Sequence, residues 1–279
     1  AVQTLCYCLD GQELSFSDRA DCVEGRGNEL DAQAIFDYLF FHMIPAPRTI
    51  FRKVRRLPAG HGLLIDESGV REIRHWPLTF DEQHREPFPV ARNTFRKLIR
   101  DSVVEEVSGH KRVGAFLSGG TDSSTVAGML CEVTGAPAPS YSIGFEAEGY
   151  DEMGYARLAA RHFGCEHHEY YVTPADLVAS IPAVAQHYDQ PFGNSPVLPA
   201  YYCAKMARDD GVSRILAGDG GDELFGGNSR YAKQRLFGFY EQVPGPLRTG
   251  MLEPLLNSHV GTLPLARKAR CYVEQARVP

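Results

Sequence analysis

The segment Val113-Gly-Ala-Phe-Leu-Ser-Gly-Gly-Thr-Asp-Ser-Ser124 constrains the fold of this chain more than any other. It reads as a buried strand that runs into a glycine turn and then into a helix N-terminus. Unpaired backbone N–H groups of such a turn, with the positive end of the helix dipole, make an anion site suited to phosphate. Ser118, Ser123 and Ser124 can add hydroxyl donors. The loop lacks the Gly-Lys-Ser/Thr ending of a Walker loop and carries Asp122, an acid that a plain phosphate cradle does not need. An acid there points to a bridging metal ion.

The pattern around this loop extends the constraint. From Arg92 to Val107, Phe95, Leu98, Ile99, Val103 and Val107 fall at helical spacing, giving an amphipathic helix that leads into the strand. Strands are then expected at 113–117, 140–145, 167–172 and 213–217. Helices are expected at 123–133, 151–163, 175–187 and 199–208. Strands alternating with helices of this length imply parallel pairing with right-handed crossovers, and therefore an α/β fold with a doubly wound, mainly parallel sheet. Residues 1–80 read differently, with strand candidates at 4–9 and 62–66, a helix at 32–41, and breaks at Pro45, Pro47, Pro58 and Gly60. The charged, proline-containing stretch 81–91 has linker composition. The expected domains are thus 1–80 and 92–279.

A second acidic glycine turn, Leu216-Ala-Gly-Asp-Gly-Gly-Asp-Glu-Leu-Phe-Gly-Gly227, follows the fourth of these strands. In an open α/β sheet, ligands lie beyond the carboxyl ends of the strands where the strand order reverses, so the two turns share a cleft if the first and fourth strands are neighbours. Asp122 and Asp222 would then suit Mg²⁺, which takes one or two carboxylates together with phosphate oxygens and water. Each turn alone has an equally good local reading. Asp122 and Asp219 can be helix N-caps, and Gly220-Gly221 can be a plain turn.

The chain's net charge of −6 gives no basic field for nucleic acid or an anionic membrane, so small-molecule ligands are favoured. No apolar run reaches about 18 residues and no signal-peptide pattern is present, so the expected location is cytoplasmic, without a membrane partner. Seven cysteines lie without C-x-x-C spacing and read as free thiols; Cys6 and Cys8 share a strand face but lack partners for a metal. His167 and His168 alternate across a strand, cannot chelate one ion together, and read as structural.

Ser118-Gly-Gly-Thr-Asp-Ser-Ser124 resembles the Ser-Gly-Gly-x-Asp-Ser pyrophosphate loop of the N-type ATP pyrophosphatases. Gly218-Asp-Gly-Gly-Asp-Glu-Leu-Phe-Gly-Gly227 is similar to the second signature of the glutamine-dependent asparagine synthetase family. Asp151-Glu152, Gly164-Cys-Glu-His-His168 and Asp189-Gln-Pro-Phe192 fit the same pattern. Ile44-Pro-Ala-Pro-Arg-Thr-Ile-Phe51 and Leu57-Pro-Ala-Gly-His61 resemble the closing part of that family's glutaminase domain. The resemblance implies an adenine nucleotide alpha hydrolase-like sheet preceded by a remnant of a glutaminase-like α+β domain.

It also implies an activity: ATP adenylates the side-chain carboxylate of aspartate, or a related acid, with release of pyrophosphate. Ammonia, drawn from glutamine where a complete glutaminase domain exists, then displaces AMP. On this implication Ser118, Gly119, Gly120, Asp122 and Ser123 hold the pyrophosphate end of ATP, and Asp122 and Asp222 hold Mg²⁺. Phe116, Ile143, Ala217 and Gly218 line the adenosine pocket. Asp219, where the family more often has Glu, sits beside the acyl-adenylate and accepts the proton that ammonia sheds. A homodimer is compatible with the resemblance.

The departures are specific. The family's nucleophilic cysteine follows the initiator Met, whereas this chain begins Ala1-Val2, so the chain as given is expected not to hydrolyse glutamine. The later Lys-rich segment that supplies a basic residue to the phosphates is expected to be missing. Lys233, Arg267, Lys268 and Arg270 are candidates that no motif separates. Gln190 and Asn228 replace a common Glu and Tyr, which leaves the acid substrate open, with Asn194, Ser195 and Asp219 expected to line its pocket. The alternatives are a ligase or cyclase of the same scaffold acting on another acid, as in β-lactam synthetases or polysaccharide-pathway amidotransferases, and a non-catalytic nucleotide-binding fragment.

Overall fold

The computed structural model describes residues 4–11, 13–66, 69–79, 86–146, 151–194, 196–227, 240, 242–257, 267, 270 and 273. Three sheets are present among them. Strands β1 (Cys6–Asp10), β2 (Glu13–Ser17) and β3 (Arg55–Arg56) form an antiparallel sheet of order β2-β1-β3. Strands β4 (His61–Asp66) and β5 (Gly69–Arg74) form a separate hairpin. Helix α1 (Ala32–Phe41) starts where the Asp31 carboxylate accepts from the N–H groups of Gln33 at 2.8 Å and Ala34 at 3.3 Å, which satisfies two of its orphan donors. Cys6 and Cys8 point together into a small core with Ala20, Val23 and Val54.

The third sheet carries the site. Its strands are β6 (Val113–Phe116), β7 (Pro139–Phe145), β8 (Glu166–Val172) and β9 (Arg214–Leu216), all parallel, in the order β8-β7-β6-β9. The chain moves outward from β6 through β7 to β8 and then returns to pair β9 on the other side of β6. The order therefore reverses between β6 and β9, the adjacency that the sequence argument required.

Helices cover both faces, as doubly wound topology demands. Helices α2 (Phe88–Val107), α3 (Thr121–Thr134) and α4 (Met153–Phe163) close one face, where Val103, Ala115, Leu117, Leu130, Ala156 and Ala160 are buried together. Helices α5 (Pro174–His187) and α6 (Val197–Asp209) lie on the other, where Tyr141, Cys203 and Ala207 pack with Phe116 and Ile143. Alternate residues of β6 thus serve opposite cores, Ala115 one and Phe116 the other.

Helix α2 begins at Phe88 rather than near Arg92, so residues 88–91 of the expected linker form its first turn, where Pro89 is tolerated because its missing N–H would have no helical acceptor. Residues 81–85 of that linker lie outside the described residues, as do Ser195, Asn228, Lys233 and Lys268.

Candidate active site

Beyond Phe116 the chain turns sharply through Ser118–Gly120. Gly119 adopts φ +85°, and a Cβ on it would lie 2.5 Å from the Tyr155 carbonyl carbon and closer still to the Ala156 nitrogen. Only glycine meets both demands, and the first turn of α4 seats directly on the loop as a result. The loop is also closed from within. The Ser118 N–H donates to Ser123 Oγ at 3.2 Å, the two serine hydroxyls are 2.9 Å apart, and Ser123 Oγ donates to the Gly120 carbonyl at 3.3 Å. Ser124 does not join them. Its Oγ is buried and has no partner among the described residues, so it is not the extra donor expected from the sequence.

The second loop presses against the first. A Cβ on Gly218 would lie 2.8 Å from the Asp122 carbonyl carbon and from the Ser123 nitrogen, and one on Gly221 would collide with the Asp122 carboxylate. Asp122 therefore reaches over the start of helix α7 (Gly221–Phe225), in whose first turn Asp222 and Glu223 lie. The capping alternatives fall away here. The N-cap of α3 is Gly120 and that of α7 is Gly220, and neither helix has a side-chain cap. Among the described residues the carboxylates of Asp122, Asp219 and Asp222 have no hydrogen-bond or ion-pair partner, so their presence at two facing turns has no local structural explanation.

The two loops open onto a cleft of about 990 Å³ at the carboxyl end of the sheet. Phe116, Ser118, Asp122, Ser123, Ile143, Ala217, Gly218, Asp219 and Asp222 all line it, whereas Gly119 and Gly120 shape the loop behind the surface. Three polar side chains of the lining were not singled out from the sequence as site residues. Glu152 enters from the start of α4, Ser142 from β7, and Glu223 from α7. Leu177, Leu198, Pro199 and Cys203 make the opposite wall apolar, and burial pushes the Cys203 thiol up to about 12. Five carboxylates and, among the described residues, no Lys or Arg line the cleft. A donor set of this kind suits a hard divalent cation with oxygen ligands.

Gln190, which stands where the family commonly has Glu, faces away from the cleft. Its Oε1 accepts the Ile50 N–H at 3.1 Å, and the neighbouring Asp189 accepts from the Ala20 N–H at 2.8 Å, so both side chains face the N-terminal sheet. Arg19 donates to the His187 carbonyl at 2.6 Å, and Gly193 N–H donates to the His42 carbonyl at 2.8 Å. The segment 187–193 is in this way clasped by the N-terminal unit immediately before α6 enters the cleft wall. Asn194 does not line the cleft. Arg267 is exposed, and both it and Arg270 lie in helical conformation.

Residues 94–278 match the family described as asparagine synthase. The chain belongs to the asparagine synthase family. A protein of Methanocaldococcus jannaschii with the provisional name asparagine synthetase (glutamine-hydrolyzing) 2 is 32% identical over 255 residues, covering 88% of this chain and 49% of that protein. Asparagine synthetase (glutamine-hydrolyzing) 1 of Bacillus subtilis is 28% identical over 257 residues, covering 90% and 40%. The chain spans about half the length, or less, of these relatives. An NH₃-dependent NAD synthetase of Campylobacter jejuni aligns over 50% of this chain and 62% of its own, with TM-score 0.35 and 14% identity, a likeness too slight to inform the site of this asparagine synthase relative. No described helix is long and apolar enough to cross a membrane.

Proposed function

We propose that this cleft binds ATP with Mg²⁺ and adenylates a side-chain carboxylate, aspartate first among the candidates, for subsequent attack by ammonia. The observation that carries the reading is the contact of the two acidic glycine turns across β6 and β9, which brings Asp122 against Gly218 and Gly221 and leaves Asp122 and Asp222 lining one cleft. Membership of the asparagine synthase family gives it independent support.

The chain's own groups have separable tasks in this scheme. The turn 118–123 presents backbone donors to the departing pyrophosphate, which lowers the barrier by stabilising charge where it develops. Phe116 and Ile143 form an apolar floor for the adenine, with the backbone at Ala217 and Gly218 beside it. Asp122 and Asp222 would hold the Mg²⁺, whose role when bound is to neutralise phosphate charge. Asp219, exposed at the cleft edge, is the acceptor for the proton shed by ammonia. Residues 1–80 are read as the closing part of a glutaminase-like domain.

The test is aspartate-dependent exchange of labelled pyrophosphate into ATP with Mg²⁺. Exchange is expected in the wild type and absent in Asp122→Asn with the fold unchanged. Exchange that persists in Asp122→Asn would refute the metal-holding role. The apolar wall of Leu177, Leu198 and Pro199 favours one alternative, a larger or less polar acid. Exchange supported by such an acid and not by aspartate would establish it.

A further inference from the structure

The His167-His168-Glu169 stretch of β8 finds a use in the structure that the proposed reaction does not assign. His167 Nε2 lies 2.8 Å from Ser142 Oγ, and its Nδ1 lies 3.4 Å from Glu169 Oε1. In order and chemistry this is the Ser-His-acid arrangement of a hydrolase, placed on the wall of the cleft. A proton count rules out that use. Ser142 Oγ makes a very close contact with the Leu117 carbonyl, which has no hydrogen to give. The single hydroxyl hydrogen of Ser142 must therefore lie on that contact, so Ser142 accepts at its other side and His167 Nε2 carries the donated hydrogen. An imidazole protonated at Nε2 cannot act as base toward Ser142, and Ser142 itself is buried.

What the chain of bonds does is fix Leu117. Strand β6 ends at Phe116, so the Leu117 carbonyl has left the strand ladder while its residue is still buried. A buried carbonyl needs a partner, and the Ser142 hydroxyl supplies it. Ser118, the first residue of the phosphate loop, follows directly. The far end of the chain of bonds is equally firm: Glu169 is gripped by Arg157 through Nε at 2.9 Å and Nη2 at 2.6 Å. Arg157 belongs to α4, the helix whose first turn seats on Gly119. The loop is thus held from both sides by one connected set of contacts.

We propose that His167 is a positioning residue of the phosphate loop, holding Ser142 so that its hydroxyl fixes the Leu117 carbonyl and with it the direction of the loop's N–H donors. The role rests on the reading of the cleft as an ATP site, and the measurements below separate the two. In the intact protein, His167→Ala should speed amide hydrogen exchange of peptide 117–124 without ligand. It should also raise KM for ATP roughly tenfold in pyrophosphate exchange, with the KM for the acid unchanged. His167→Gln, whose amide nitrogen can occupy the Nε2 position, should restore both. Ser142→Ala should reproduce the defect, and the double variant Ser142→Ala/His167→Ala should be no worse than Ser142→Ala alone, because both act through one bond.

Unchanged exchange of peptide 117–124 in His167→Ala would overturn the proposal. So would additive single defects, or a defect that appears as lower kcat at constant KM without rescue by glutamine, the pattern of a merely structural histidine. If the wild type neither binds nor turns over ATP, the function proposed above fails, while the hydrogen-exchange comparison still decides the role of His167.

Discussion

Replacing Gly218 by alanine tests whether the two loops form one site. The Cβ would sit 2.8 Å from the Asp122 carbonyl carbon and the Ser123 nitrogen, and 2.9 Å from Asp122 Cβ. Ordinary contact begins at 3.4 Å, so the loops must part by roughly 0.6 Å. The opposing atoms are mostly backbone and cannot rotate away. Overpacking of this kind costs about 1–3 kcal/mol, and for a domain of this size each kcal/mol lowers Tm by about 2–4 °C. The effect on turnover should be larger in proportion. A misplacement near 1 Å costs about 100-fold where reacting groups must be aligned, so separation by this amount should slow pyrophosphate exchange about tenfold or more.

The control is Gly135→Ala, at the C-terminal end of α3. Gly135 has φ +65° with nothing within 4 Å of its would-be Cβ, so alanine there adds backbone strain of about 1–2 kcal/mol and no steric push on either loop. Calorimetry and exchange assays on both variants separate stability from positioning. Gly135→Ala should lose Tm and keep exchange, whereas Gly218→Ala should lose both. Wild-type exchange in Gly218→Ala, or a loss no greater than that of Gly135→Ala, would refute the claim that the loops act as one unit.

Other expected outcomes rest on charge and burial. Asp222→Asn should abolish exchange yet raise Tm by about 1–3 °C, because it relieves repulsion in a cleft lined by five carboxylates; a lowered Tm in calorimetry would contradict the charge argument. Burial holds the His167 pKa below 6.5, outweighing the Glu169 carboxylate that raises it, while Arg157 and His168 add to the lowering. Between that depressed value and 6.5 the unfolded chain binds more protons than the folded one, so stability falls as pH drops through this window, by at most about 1.4 kcal/mol per pH unit. Denaturation midpoints of wild type and His167→Gln from about pH 7.5 to about pH 5.5 should therefore converge on acidification, and parallel curves would negate the assignment. Cys203, with its thiol raised to about 12, should resist iodoacetamide at mildly alkaline pH in the native protein while the exposed Cys22 reacts. Mass spectrometry of the alkylated peptides decides it, and equal labelling would mean that the cleft wall opens.

The parts of the site that were legible in the sequence are those whose chemistry is local. A strand followed by Ser-Gly-Gly-Thr-Asp needs only its own residues to be read as a turn with donors, and the alternation of periods was enough to place β6 and β9 in one parallel sheet. The bonding of His167 was not legible, because it depends on register. The pairing of β7 with β8 sets Ser142 opposite Glu169 and Ser140 opposite His167, and no sequence period specifies that alignment or the overhang of Leu117 beyond β6. The partner of Gln190 was illegible for a related reason. That partner is the backbone of Ile50, 140 residues earlier, a contact that no local pattern around Asp189 specifies. Pro89 read as linker because proline breaks helices in their interior, whereas in a first turn it costs nothing.

The cleft draws its contacts from both sides of the stretch 81–91. The nucleotide end is built within the parallel sheet, from backbone and small residues of the two turns and from the floor at Phe116 and Ile143. The opposite wall comes from α6 with Leu177 of α5, and the segment that joins these helices is tied to residues 19, 20, 42 and 50 by four hydrogen bonds. Three of these engage backbone N–H groups and two end on backbone carbonyls, but only Gly193 to His42 is main chain to main chain; the others depend on the side chains of Arg19, Asp189 and Gln190. Arg56 adds an ion pair to Asp189 at 3.6 Å with both side chains largely buried. The contacts that hold the segment before α6 thus come from outside the sheet that holds the phosphate loop, and none of their residues lies in either glycine motif.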